Sequence, residues 1–191
     1  NRKSFYKFVI GKMLETPENL NTQAIELASQ GYYKEAVACL NRAITIDKKN
    51  YLLWYNLGIT YRDMGKQRDA KKAFLQAYEL NYIDEDLLES LSLISFSLND
   101  LDDAFRFCYE GLDLNPTNHH CWNNLGVFNF SKKDYEEAAT SFETALSIYP
   151  HFYDALYNLR DTYLELGNKE GAKECTRYMQ NIKSSGTLYG W

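Results

Sequence analysis

Apolar positions along the chain recur with helical spacing. Trp54, Leu57, Gly58 and Tyr61 stand at i, i+3, i+4 and i+7, one face of a helix with about 3.6 residues per turn. Gly65 breaks that run, and Ala70, Phe74 and Ala77 open a second face at i, i+4 and i+7. The two-face unit then repeats. Ala36, Ala70, Ala104, Ala138 and Ala172 are each 34 residues from the next. Five tandem windows follow without insertion, 17–50, 51–84, 85–118, 119–152 and 153–186, and each predicts a pair of helices. Asn50 is placed to cap the helix that starts the second window, its side chain accepting from a free backbone N–H of the first turn.

The order Trp54, Leu57, Gly58, Tyr61, Ala70, Phe74 resembles the tetratricopeptide repeat, a helix–turn–helix unit with a period of about 34 residues. The resemblance covers 170 of the 191 residues. It implies an all-α fold, an α-solenoid whose five helix pairs wind into a right-handed superhelix, with 17–186 as the repeat domain. Residues 1–16 read as an N-terminal amphipathic helix or linker. Phe5, Phe8, Val9 and Met13 share a face, and Lys3, Lys7 and Lys12 supply charge. That segment is expected to cap the first repeat; the alternative is a membrane-associated or interfacial stub. The chain begins at Asn1 rather than Met, which leaves a preceding signal, anchor or domain open. Residues 187–191 form a C-terminal tail in which Leu188, Tyr189 and Trp191 are left to fold back over the last helix or to meet a partner.

The copies differ in informative places. Gln23 stands in the first where the family has Leu, and Ser95 and Gly111 stand in the third where it has Tyr and Ala. Asn129 replaces a Tyr in the fourth. The fifth has Arg160 where a small residue is expected and Thr176 where an aromatic is expected, a polar outer helix of the kind a terminal repeat requires.

Net charge is −5, unevenly placed: residues 1–16 carry +3, and the third window carries −7 with Arg106 against eight acids. An acidic chain without a basic stripe is a poor nucleic-acid binder, because phosphate neutralisation supplies most non-specific affinity. Cys39, Cys108, Cys121 and Cys175 lack metal-ligand spacing; Cys39, Cys108 and Cys175 fall on second-helix apolar faces as small apolar residues, which favours a reducing compartment. A Cys108–Cys121 disulfide is conceivable only if the two meet across a repeat boundary. A cytoplasmic location is expected; the alternative, a periplasmic or membrane-anchored one, goes with an upstream segment. His119, His120 and Cys121 are adjacent, so on a helix they point about 100° apart and do not converge on one ion. No phosphate loop, HExxH, GxSxG or kinase-like motif occurs. No cofactor, metal or catalytic role is expected.

Function is therefore sought on a surface. In the family, the first helix of each repeat lines the concave groove. Carried over residue by residue, that gives a peptide-binding surface of Tyr55, Asn56, Ile59 and Arg62; Glu89, Leu93 and Phe96; Asn123, Asn124, Val127 and Phe130; and Tyr157, Asn158 and Asp161, with Leu164 beside them. Asn56, Asn124 and Asn158 occupy one repeat position, where an amide offers a donor and an acceptor to a peptide unit; Ser90 interrupts the series. The basic clamp of the chaperone-binding members is absent, its slots holding Asn21, Tyr55, Asp86, Ser90, Asp154 and Asn158. A non-catalytic scaffold that binds a neutral or basic peptide or protein segment is expected. The alternative is a structural subunit that meets its complex through its convex face or termini, and a third reading is an enzyme or small-ligand receptor.

Overall fold

The computed structural model describes residues 15–184. The helix expected over 1–16 lies outside them apart from its last two residues, and the tail 187–191 lies outside them entirely. Thr16 does not continue a helix. Its backbone is extended (φ −95°, ψ 155°), and its hydroxyl caps the next helix by accepting from Asn19 N at 3.1 Å.

The described residues form ten helices and no strand, in two compact units divided at Asn99/Asp100. The first unit holds α1 (Pro17–Ser29), α2 (Tyr33–Ile46), α3 (Tyr51–Asp63), α4 (Gln67–Leu80) and α5 (Glu85–Ser97). The second holds α6 (Leu101–Leu114), α7 (His119–Ser131), α8 (Tyr135–Ile148), α9 (Tyr153–Glu165) and α10 (Lys169–Ser184). Each helix packs on the next in its unit. In addition α1 touches α3 in the first unit, and α7 touches α9 in the second. No described helix is long and apolar enough to cross a membrane.

Local chemistry sets the boundaries. The side chains of Thr16, Asn50, Asp84 and Asn118 accept from backbone N–H groups in the first turns of α1, α3, α5 and α7. The loops leading into three of these helices share a second device: Asp47, Asn81 and Asn115 each accept from the backbone two residues on, at 3.2, 3.3 and 3.2 Å. Such turns hold the chain without helical hydrogen bonds. Trp54 and Trp122 brace the same loops, donating from Nε1 to Lys48 O and Pro116 O at 3.1 and 2.9 Å. At the opposite end of the pairs the backbone turns left-handed at Gly31, Gly65, Asn99, Lys133 and Gly167, with φ between 60° and 84°. The amides of Tyr32, Lys66, Asp134 and Asn168 then reach back to the carbonyls of Leu27, Tyr61, Asn129 and Tyr163, closing the helix ends.

Within a pair, close approach depends on one complementary couple. A Cβ on Gly58 would lie 2.5 Å from the Phe74 ring, and one on Gly126 would lie 2.4 Å from the Phe142 ring. Both rings are fully buried. The first pair reaches the same end with Ala24 and Leu40, both buried in one cluster with Ala36, Ala43, Leu53 and Leu57. A larger residue on one helix is matched by a smaller one on the other.

The four cysteines are free, and no disulfide joins Cys108 to Cys121; instead Cys108 Sγ donates to Cys121 O at 3.2 Å. His119 and His120 lie with ring centres 4.3 Å apart, tilted by 35°, and sit against Phe152, with Tyr149 also at His119, so they belong to an aromatic cluster. No group of three or more metal-ligating side chains gathers among the described residues.

Candidate functional site

In the first unit, α1 and α3 border a crevice of about 290 Å³. Ile25, Ala28 and Ser29 of α1 form one wall, and Asn56, Ile59, Thr60 and Asp63 of α3 the other, with Leu40 of α2 also contributing. In the second unit α7 and α9 border a smaller one, about 100 Å³, lined by Val127, Phe130, Phe142, Asn158 and Asp161. The two are the same place in the repeat. Adding three periods of 34 converts Ile25, Ala28, Leu40, Asn56 and Ile59 into Val127, Phe130, Phe142, Asn158 and Asp161. The difference in volume has a direct cause: Phe130 and Phe142 stand where the first crevice has Ala28 and Leu40.

The asparagines on these walls are already engaged. Asn56 Nδ2 donates to Asn21 Oδ1 at 2.8 Å, and Asn158 Nδ2 donates to Asn123 Oδ1 at 3.1 Å. Each bond joins neighbouring odd-numbered helices through residues 35 apart. Ser90, the interruption in the asparagine series, keeps the same tie by bonding Tyr55, 35 residues before it. Burial raises the Tyr55 phenol above its ordinary pKa, and nearby Asp86 adds to the effect. Asn56 and Asn158 also anchor the turn after them, since Thr60 and Thr162 donate to their carbonyls at 2.8 Å. Each paired asparagine retains further capacity, because an amide offers two N–H donors and an acceptor oxygen.

Asn124 differs. Its Nδ2 is covered and has no hydrogen-bond partner, so it is not presented to an incoming ligand. Ile59, Val127 and Phe130 do line crevices, Phe130 with its ring 5.2 Å from that of Tyr135. Tyr55 leans on Phe74, with ring centres 5.7 Å apart. Arg62 is exposed and pairs with Asp63 at 3.1 Å, and Asp161 pairs with Arg160 at 2.7 Å. Tyr157 is exposed beneath the Arg160 guanidinium, 4.1 Å from its ring centre. Leu93 is exposed, while Glu89 and Phe96 are half-buried on α5 and line neither crevice.

Sequence reasoning did not single out Ile25, Ala28, Ser29, Thr60 or Asp63. The register held the signal: Ala28 is the small residue at the repeat position that is otherwise Arg62, Phe96, Phe130 and Leu164.

Comparison with known proteins gives a consistent result. Models described as TPR repeat or tetratricopeptide repeat match residues 25–65, 55–119 and 129–177. The peroxisomal targeting signal receptor of Saccharomyces cerevisiae is 27% identical over 179 residues, 87% of this chain and 28% of the receptor. Human N-alpha-acetyltransferase 16, NatA auxiliary subunit, is 26% identical over 145 residues, 75% of this chain and 17% of that protein. The chain thus spans less than a third of these curated relatives. Among solved structures, MamA superposes with a TM-score of 0.81 at 18% identity, covering 92% of this chain and 96% of MamA. YrrB, described as a TPR protein with an unusual peptide-binding site, gives 0.74 at 22% identity, covering 96% and 94%. At these identities the structures show the shared fold, an all-α solenoid of helix pairs.

Proposed function

Since the chain belongs to the tetratricopeptide repeat family, we propose that it is a non-catalytic interaction scaffold that binds a peptide or protein segment on its odd-numbered helices, seating an apolar side chain in the crevice between α1 and α3. The observation that carries this reading is the crevice itself. Apolar Ile25, Ala28, Leu40 and Ile59 surround a space of about 290 Å³, and Asn56 stands at its wall with hydrogen-bonding capacity left over. An apolar side chain supplies area burial there, roughly 1.5–3 kcal/mol for a leucine-sized group. The amide supplies registration to the segment's backbone, about 0.5–1.5 kcal/mol net per bond. Recognition of a targeting signal by the yeast receptor, named for that role, and the auxiliary role of the human subunit fit a scaffold. Each crevice is lined by one aspartate, Asp63 or Asp161, paired with the adjacent Arg62 or Arg160, and by no lysine or arginine, so it offers an acidic segment no unpaired cation and suits a neutral or basic one.

Ala28→Phe tests the proposal, because it fills the first crevice with the side chain the second already carries. Partners captured by the wild type would be identified, and a peptide from the captured protein titrated into both forms after matching their helicity. The proposal expects at least a tenfold loss of affinity, on the order of 1.4 kcal/mol, in the variant. Equal affinity would place binding on the even-numbered helices or the termini, as a structural subunit would have it.

A further inference from the structure

A larger cavity lies away from both crevices. It measures about 540 Å³ and sits between α9 and α10, lined by Arg160, Leu164, Lys169, Ala172, Lys173, Thr176 and Arg177. Four of the seven lining residues are cations, and none is an acid. This face continues the repeat register. One period earlier, Ala138, Ala139 and Phe142 pack with Leu159 of α9, so the equivalent surface of α7 and α8 seats the helix that follows it. On the last pair the residues matching Gly126, Tyr135, Ala139 and Glu143 are Arg160, Lys169, Lys173 and Arg177.

The close-packing couple of the earlier pairs is absent here. Gly126 and Phe142 fill each other's volume, whereas Arg160 and Thr176 do not. Arg160 turns toward Asp161 at 2.7 Å, and Lys173 pairs with Glu170 at 2.8 Å. Lys169 and Arg177 make no ion pair among the described residues, which leaves an excess of two positive charges on the lining. Beside them Leu164 is 54% exposed and Ala172 is buried, so the cavity joins an apolar contact to a cationic rim.

We propose that this cavity docks an acidic segment of a partner protein, with an apolar side chain against Leu164 and Ala172 and flanking carboxylates on Lys169 and Arg177. Guanidinium and ammonium groups donate charge-assisted hydrogen bonds to carboxylates, and the planar Arg177 fork can donate two to one carboxylate. The preference is opposite to that of the α1/α3 crevice, so the two sites select different segments.

The test uses a short labelled peptide with glutamates on both sides of a leucine, followed by fluorescence anisotropy. Wild type should bind it, more weakly as salt rises, because exposed charges are screened over about 8 Å at physiological ionic strength. The exposed double variant Lys169→Glu/Arg177→Glu should lose at least about tenfold in affinity with unchanged helicity. Ala28→Phe should bind as wild type does, which separates this site from the α1/α3 crevice. The inference is overturned if wild type fails to bind, if the double variant binds equally, or if Ala28→Phe weakens binding. It is also overturned if the lysine analogue of the peptide or a single-stranded oligothymidylate binds as tightly as the acidic peptide.

Discussion

Gly58→Ala should destabilise the protein, although the same exchange in an ordinary helix stabilises it. A helix-interior glycine is about 1 kcal/mol worse than alanine, so propensity alone favours the change. The structure opposes it. The new methyl would lie 2.5 Å from Cδ1 and Cε1 of Phe74 and 2.9 Å from Cγ, and that ring is fully buried against its neighbours. Overpacking of this kind costs about 1–3 kcal/mol, which outweighs or cancels the propensity gain and leaves a net loss of about 1 kcal/mol. The Ala24/Leu40 couple of the first pair supplies the compensating change. In a Phe74→Leu background the ring is gone, and Gly58→Ala should stabilise by up to about 1 kcal/mol. The sign of the substitution therefore reverses with residue 74, and a double-mutant cycle should give a coupling of at least about 1 kcal/mol. Urea unfolding of the four proteins, followed by far-ultraviolet circular dichroism, measures it. If Gly58→Ala stabilises equally in both backgrounds, the glycine–phenylalanine approach does not control how α3 meets α4.

Three further outcomes follow from single positions. Lys133 holds φ at 65° where three of the other four pairs place glycine, so Lys133→Gly should raise the urea midpoint by an amount equivalent to about 1 kcal/mol. Ser95 is fully buried with its hydroxyl unpartnered, so Ser95→Ala should be neutral or stabilising by about 1 kcal/mol in the same assay. Burial, with a smaller contribution from His120, lowers the His119 pKa from 6.5. Below that value the unfolded chain takes up the proton more readily than the folded one. The His119 contribution to stability is thus complete above pH 6.5 and declines as pH falls from there through the lower folded value. Thermal unfolding of His119→Phe between pH 7 and 5 should lose that part of the dependence; an unchanged slope would assign it elsewhere.

The helix pairs were legible because their packing is local and periodic. Trp54, Gly58, Ala70 and Phe74 report their faces by spacing alone, and Asn50 announces its cap, where it accepts from Leu52 N at 3.2 Å. The candidate surface was less legible, because a repeat position gives a direction and not a partner. Asn56 and Asn158 stand where the register puts them, yet each is spent partly on the helix before it, through Asn21 and Asn123. Asn124 shares their position, but its Nδ2 is covered. The α1/α3 crevice depends on the smallness of Ala28, which pattern reading treats as filler. The cationic cavity arose at Arg160 and Thr176, visible as departures from the family pattern. Their consequence required knowing that Gly126 and Phe142 fill that same volume one period earlier.

The most direct measurement of the central claim is a methyl-resolved nuclear magnetic resonance titration of the protein with its captured peptide. The account predicts that Ile25 and Ile59 methyl signals shift in proportion to occupancy, while Ile44 and Ile182 on the even-numbered helices stay fixed. Shifts confined to Ile44, Ile182 and their neighbours, with Ile25 and Ile59 unmoved, would contradict it.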